Sequence, residues 1–94
     1  MNDKTWTVRH DAAHSRFEAV LDEGTAVAEY RLRDGVMQIL HTEVPRALEG
    51  RGIAASMMAA AVAHAREQGL KIDPRCSYAA AYMKRRPETR DLLA

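Results

Sequence analysis

The chain has one cysteine, three prolines, one phenylalanine and one tryptophan among its 94 residues, and each scarcity closes off a class of protein. A single cysteine can form neither an internal disulfide nor a cysteine-rich zinc site, which points to a reducing, cytoplasmic setting. Lysine and arginine number 14 against 13 aspartates and glutamates, a formal net charge of +1. That balance gives no support to a protein that coats nucleic acid or an anionic membrane. One Phe, one Trp and three Tyr also leave few platforms on which bases could stack. A small nucleic-acid-binding domain using Arg31, Arg33 and Lys84-Arg85-Arg86 is therefore the weakest of three readings, and no nucleic-acid partner is expected. The longest apolar stretch is interrupted by His64 and Arg66 and falls far short of a membrane span. The N-terminus, Met1-Asn2-Asp3-Lys4-Thr5-Trp6, has no apolar core of the signal-peptide kind. A soluble protein with no membrane partner is the expectation. Among the histidines only His10 and His14 have a ligand-like spacing, and they are isolated, so no metal is expected.

What is present is enough for one modest core. With 47% hydrophobic and 29% charged residues, the composition is that of a globular chain, read here as a single domain over residues 1–94. The first half alternates apolar and polar residues. Residues 6–10, 16–21, 26–33 and 36–44 read as strands, with turns at residues 10–14, at Asp22-Glu23-Gly24 and at Asp34-Gly35. Asp34-Gly35 is the best hairpin signal, because a type I′ turn wants two residues that tolerate positive φ. After Pro45 the period changes. Residues 52–68 carry apolar side chains at helical spacing, and Gly69 is a natural stop. Residues 70–73 read as a short strand ended by Pro74, and residues 78–86 as a second helix ended by Pro87, with a last turn over residues 88–93. A strand, a helix and a strand form a right-handed crossover with the two strands parallel. The fold class is α/β, more strictly α+β: a mixed, mostly antiparallel sheet with a β-α-β crossover and a C-terminal helix.

The chain is organised around Glu49-Gly50-Arg51-Gly52-Ile53-Ala54, between the last meander strand and the long helix. A glycine-bearing loop that opens a helix offers unpaired N–H groups and the positive end of the dipole, which favours a phosphate. Glycines allow close backbone approach, and Arg51 can pair with phosphate oxygens. The same two glycines also serve a plain strand-to-helix turn.

The order of elements and the loop together resemble the GNAT acetyltransferases. Their acetyl-CoA loop runs Q/R-x-x-G-x-G/A, which Gly52 and Ala54 match, while Glu49 departs from the usual Gln or Arg. The chain is most similar to the very short, single-domain GNAT-like proteins. Those have a run like His41-Thr42-Glu43-Val44-Pro45, then the glycine loop, then a segment like Pro74-Arg75-Cys76-Ser77-Tyr78. The resemblance covers residues 36–87 in sequence and the N-terminal third in pattern only. It implies acetyl-CoA as co-substrate, with the pyrophosphate over residues 51–55 (Arg51, Gly52, Ile53, Ala54 and Ala55, reached through Gly50). It also implies a pantetheine slot where the strand ending at Val44 splays from the strand at residues 70–73. There the backbone of Glu43 and Val44 pairs with the pantetheine amides.

Acetyl transfer to an amine needs a neutral amine, a polarised carbonyl and a protonated leaving thiolate. A lysine-like amine has a pKa of about 10.4, so a base or a wet proton path is required. His41 and Glu43, two apart on one strand, share a face and are expected to share it with Met37 and Ile39. They suit proton removal, or alternatively are ordinary sheet residues. Cys76, ahead of a helix start, stands where the dipole favours a thiolate, and could take the acetyl group before passing it on. Otherwise it is a small buried hydrophobe. The resemblance assigns Tyr82 as the phenol that protonates the leaving thiolate, against a packing role. Lys84 and Arg85, with Arg86, could meet the CoA phosphates or form a solvated helix end.

Two readings from different classes therefore stand ahead of the nucleic-acid one. The first is an acetyl-CoA-dependent N-acetyltransferase whose acceptor is an amine, a protein or peptide amine among the candidates. The second is a non-catalytic CoA-binding or protein-interaction module with the same fold.

Overall fold

The computed structural model describes residues 6–94, so the reading of residues 1–5 as lacking a leader-like core lies outside the described residues. Four antiparallel strands, β1 (Val8–Asp11), β2 (Arg16–Leu21), β3 (Gly24–Arg33) and β4 (Val36–Glu43), follow one another across the sheet. Helix α1 (Ile53–Gln68) then crosses over to β5 (Lys71–Pro74), which pairs parallel with β4. Helix α2 (Ser77–Lys84) and a 3₁₀ segment (Pro87–Leu92) end the fold. The sheet order is β1-β2-β3-β4-β5, as a meander closed by one crossover requires.

The turn signals act as expected. Asp34 and Gly35 both have positive φ, 52° and 77°, the backbone a type I′ hairpin needs. Gly69 ends α1 in the left-handed conformation, its N–H returning to the Ala65 carbonyl.

One face of the sheet carries the core. Phe17, Ala19, Ala26, Ala28, Met37, Ile39 and Ile72 are buried there, beneath Met57, Met58, Ala61 and Ala65 of α1. Ala61 and Ala65, fully buried, let α1 lie close on the strands, whereas Ala59 and Ala63 face outward and are exposed. On the opposite face the side chains are mostly charged and open. Glu18 is an exception, buried between Arg9 (3.1 Å) and Arg16 (3.1 Å). Val20 remains 63% exposed on this side.

The structure overturns one expectation about β4. The β3–β4 register runs Glu29 to His41, then Tyr30 to Ile39, so Leu40 is an extra residue on β4. A β-bulge of this kind leaves one residue unpaired and re-aims those beyond it. Because side chains alternate with period two, the inserted residue swaps faces for everything after it. His41 and Glu43 therefore lie on the open face, not beside the buried Met37 and Ile39. Thr42, paired with buried Ala28, takes the inner position instead.

Candidate active site

Pairing between β4 and β5 covers only Val36 to Ile39 on β4 and Lys71 to Pro74 on β5. Beyond it the two strands part. The Ile39 carbonyl closes the junction by accepting from the N–H groups of Arg75 (2.9 Å) and Cys76 (3.1 Å). From there β4 continues to Glu43 with no strand on its β5 side among the described residues. The two strands therefore splay where the sequence resemblance leads one to expect it.

At the end of β4, Pro45 starts a 3₁₀ turn (Arg46–Leu48), and the glycine loop leads into α1. Gly52 is the N-cap of α1 with φ 84°, and it supplies no side-chain cap. The first helical bond is Ser56 N–H to the Gly52 carbonyl, 3.0 Å. The N–H groups of Ile53, Ala54 and Ala55 precede it, and among the described residues none donates to a protein acceptor. A Cβ built on Gly50 or Gly52 would meet nothing within 4 Å, so the space above both is clear. Their immediate task in the fold is positive φ, and the open space is what a ligand would use.

These residues floor a cleft of about 240 Å³ that Val44, Leu48, Glu49, Gly50, Gly52, Ile53, Ala54, Ala55 and Tyr78 line. Six of the expected binding residues thus meet: Val44, Gly50, Gly52, Ile53, Ala54 and Ala55. Arg51 does not point into it. Its guanidinium reaches back to Glu23 in the β2–β3 turn, 3.3 Å away, in an exposed and weak pair. Glu49 also lines the cleft.

Cys76 is the N-cap of α2. Its sulfur accepts from the Ala79 N–H at 3.4 Å and lies 3.9 Å from the Thr42 hydroxyl. Sulfur is an unusual cap, a role hydroxyls and carboxylates fill more readily. Half-buried, Cys76 sits where α2 begins, against the splayed end of β4. The residue the fold brings to the thiol is therefore Thr42, which the sequence reading passed over. His41 and Glu43 pair with each other instead, 3.6 Å apart, with side chains 55% and 70% exposed on the uncovered face.

Two further placements need correction. Tyr82 is buried to 8% exposure, with the Arg86 guanidinium lying 3.8 Å over its ring. It does not line the cleft. Tyr78, one turn earlier, does. Tyrosines at i and i+4 share a helix face, but only the one nearer the helix start reaches the glycine loop. Burial pushes the Tyr78 phenol above its ordinary range, partly offset by Arg86, so it is a neutral hydroxyl at physiological pH. Lys84 lines a different depression, with Pro74, Ala80, Met83, Arg90 and Leu93, and so does not face the glycine loop. Arg85 is exposed, near enough to Tyr78 to bear on its charge.

Among the described residues no three His, Cys, Asp or Glu side chains gather around a point that could hold a metal ion, and no helix is long and apolar enough to cross a membrane.

Residues 16–92 match the family model described as GCN5-related N-acetyl-transferase. Protein NATD1 of Mus musculus is 34% identical, the alignment covering 85% of this chain and 76% of that protein. The Homo sapiens protein of the same name is also 34% identical, over 85% of this chain and 74% of its own length. Among solved structures, the NMR solution structure of a GCN5-like protein from Staphylococcus aureus, described as a candidate N-acetyltransferase, is similar with a TM-score of 0.75. It is 30% identical, and the match covers 94% of this chain and 87% of that one.

Proposed function

The chain belongs to the GCN5-related N-acetyltransferase family, and from that premise we propose that it transfers an acetyl group from acetyl-CoA to an amine. The observation that carries the reading is a juxtaposition. An uncapped helix start with clear space above it lies beside a splayed strand, and a cysteine sulfur closes the far side of the splay.

Acetyl-CoA supplies the activated acyl group. The N–H groups of Ile53, Ala54 and Ala55, with the α1 dipole, hold its pyrophosphate. Gly50 and Gly52 let it approach, and Arg51 joins them by leaving Glu23. The unpaired backbone of Glu43 and Val44 takes the pantetheine amides. Arg85 stands near enough to add charge at the outer end. Cys76 then acts as nucleophile. Its sulfur bonds to the acetyl carbon, the bond from that carbon to the CoA sulfur breaks, and the thiol proton of Cys76 passes to the departing sulfur. No outside acid is needed for this exchange, which removes the step that Tyr82 would have served. His41 or Glu43, on the uncovered face, first takes one proton from the ammonium form of the acceptor. The neutral amine then attacks the acetyl-cysteine, the bond from the acetyl carbon to the Cys76 sulfur breaks, and the amine's second proton passes to that sulfur, releasing Cys76 as the thiol. The acceptor approaches from the same side, and with no helix over it among the described residues a protein or peptide amine fits better than a small enclosed one.

A second reading has its own support. The Sγ–Ala79 hydrogen bond gives Cys76 a structural job that needs no chemistry, and Glu49 weakens the anion site. On this view the domain binds CoA, or a protein partner, without turnover. Intact-mass measurement after incubation with acetyl-CoA separates the two. One added acetyl group in the wild type, absent in Cys76→Ser and removed by hydroxylamine, is the expected result. CoA binding with no label, and no acetylated amine in a peptide pool, would establish the binding module.

A further inference from the structure

The bulge at Leu40 does more than turn His41 and Glu43 outward. It turns Thr42 inward, opposite the fully buried Ala28, where β4 has parted from β5 and α2 begins. Bulges re-aim side chains in this way, and they gather beside active sites. An apolar β-branched residue would fit this strand position at least as well as threonine. What threonine adds is a hydroxyl, and Thr42 is half-buried, where an unbonded hydroxyl costs stability. Among the described residues its one side-chain partner is the Cys76 sulfur, 3.9 Å away. Branching at Cβ keeps χ1 stiff, so the hydroxyl oxygen is held where the sulfur meets it.

Cys76 is fixed from three directions. Its backbone N–H donates to the Ile39 carbonyl (3.1 Å), its sulfur accepts from the Ala79 N–H (3.4 Å), and Thr42 meets the sulfur from β4. The two partners of the sulfur differ in kind. An amide N–H can only donate, whereas a hydroxyl both donates and accepts. While the sulfur carries its proton, the S–H can point to the Thr42 oxygen. Once that proton has left, the Thr42 O–H can turn and donate to the thiolate. The charged neighbours are engaged elsewhere. Arg75 pairs with Asp73 (3.0 Å), His41 pairs with Glu43 on the uncovered face, and Arg86 lies over the Tyr82 ring.

We infer that Thr42 is a positioning residue for the nucleophile: its hydroxyl holds the Cys76 thiol in place and hydrogen-bonds the sulfur as negative charge gathers there. The inference rests on the acetyl-cysteine reading above and extends it to a residue that does not line the cleft. In the exchange, Sγ bonds to the acetyl carbon, the bond from that carbon to the CoA sulfur breaks, and the Cys76 proton goes to the departing sulfur. Thr42 keeps its own proton throughout. When the amine displaces the acetyl group, charge gathers on Sγ again and meets the same hydroxyl. Because Thr42 acts only through the sulfur, its loss should slow both half-reactions and leave CoA affinity unchanged.

The test begins without acetyl-CoA. Cys76 is the only cysteine, so the intact mass of the full chain reports its alkylation alone. The rate of reaction with iodoacetamide, followed from about pH 6 to 10, traces the thiolate. Thr42→Val, close in shape, should move that profile to higher pH and slow alkylation near pH 7 by about threefold to tenfold, the range of one net hydrogen bond. Thr42→Ser, which keeps the hydroxyl, should restore the wild-type profile. With acetyl-CoA, acetyl-cysteine should form more slowly in Thr42→Val by a similar factor, with CoA affinity by calorimetry unchanged. A purely structural threonine would lower the melting temperature and leave the profile where it was. An unshifted profile in Thr42→Val, or in Thr42→Ala should the first variant not fold, would overturn the inference and leave Cys76 standing as the nucleophile. A wild type that binds acetyl-CoA but gains no acetyl group would overturn the acetyl-cysteine reading, and this role with it, whatever the alkylation profile shows.

Discussion

Helices α1 and α2 start in opposite ways. The start of α1 is made of glycine, with no side-chain cap and three N–H groups left over. The start of α2 is capped by Cys76, whose sulfur accepts from the Ala79 N–H, so that among the described residues the N–H groups of Ser77 and Tyr78 are left over. A helix start is an anion site only while its donors are free. By that criterion α1 offers three donors beside a glycine loop with clear space above it, and α2 offers two, its third being spent on a cysteine sulfur. The chemistry proposed here divides along the same line, with phosphate at the open start and nucleophile at the capped one.

The sharpest way to break the comparison is to alter the glycine that leaves α1 open. Gly52→Ala keeps a left-handed φ that costs an ordinary residue about 1–2 kcal/mol, and places a methyl in the space above the loop. Gly69 is the control, because it has a similar φ of 68° and equally clear surroundings at the other end of the same helix. Both variants should lose similar thermal stability. Only Gly52→Ala should also lose CoA affinity, by tenfold or more in calorimetry. Equal CoA affinity in the two variants would mean that the loop is merely a turn.

Closing or opening the start of α2 should change stability without changing binding. Cys76→Ala removes the cap and should cost about 1 kcal/mol, read as a lower melting temperature, with CoA affinity kept. Cys76→Ser restores a better cap, so its melting temperature should match or exceed that of the wild type. If Cys76→Ala melts like the wild type, the sulfur does not act as a cap.

A smaller effect sharpens the electrostatics at α1. Glu49→Gln removes a like charge from the anion cleft and should tighten CoA binding by roughly twofold to fivefold, the range of an exposed charge interaction. The gain should shrink with added salt, which screens exposed charges. A loss of affinity would mean that Glu49 contacts the ligand as an acceptor.

The smallest effect on this comparison lies away from both starts. His10 stacks on Phe17, hydrogen-bonds the Tyr30 hydroxyl and meets His64 of α1 edge-on. Burial, then the neighbouring His64, hold its pKa below the ordinary imidazole value, with Asp11 pulling the other way. A depressed imidazole takes up its proton more easily in the unfolded chain. Its contribution to stability is therefore complete above about 6.5, the unfolded value, and is lost as pH falls through the folded one. Melting temperature should decline from pH 7 toward 5, and His10→Gln, which keeps a partner for Tyr30, should flatten that slope. A slope unchanged by the variant would assign the decline to other groups.

The features legible in the sequence are those encoded by local backbone chemistry. Asp34-Gly35, Gly52, Gly69 and Pro74 each constrain φ or remove a donor, and each marks a boundary in the fold. Element order and the parallel crossover followed from them, as did most of the cleft lining. The bulge at Leu40 was not legible, because Ile39-Leu40-His41 contains no glycine or proline to announce it. Its cause is tertiary, and it exchanges His41 and Glu43 for Thr42 on the inner face. The pairing of Arg51 with Glu23 and the stacking of Arg86 on Tyr82 are likewise contacts between side chains, for which composition and spacing give no signal.

The central claim is that the open start of α1, and not the capped start of α2, takes the phosphates. Titrating the ¹⁵N-labelled protein with CoA and following backbone amides by NMR addresses it most directly. The account predicts that the largest shifts fall on Gly52, Ile53, Ala54 and Ala55, with the Ala79 amide keeping the shift of a donor to sulfur. Saturable CoA binding that leaves residues 52–55 unmoved, or moves Ala79 most, would contradict it.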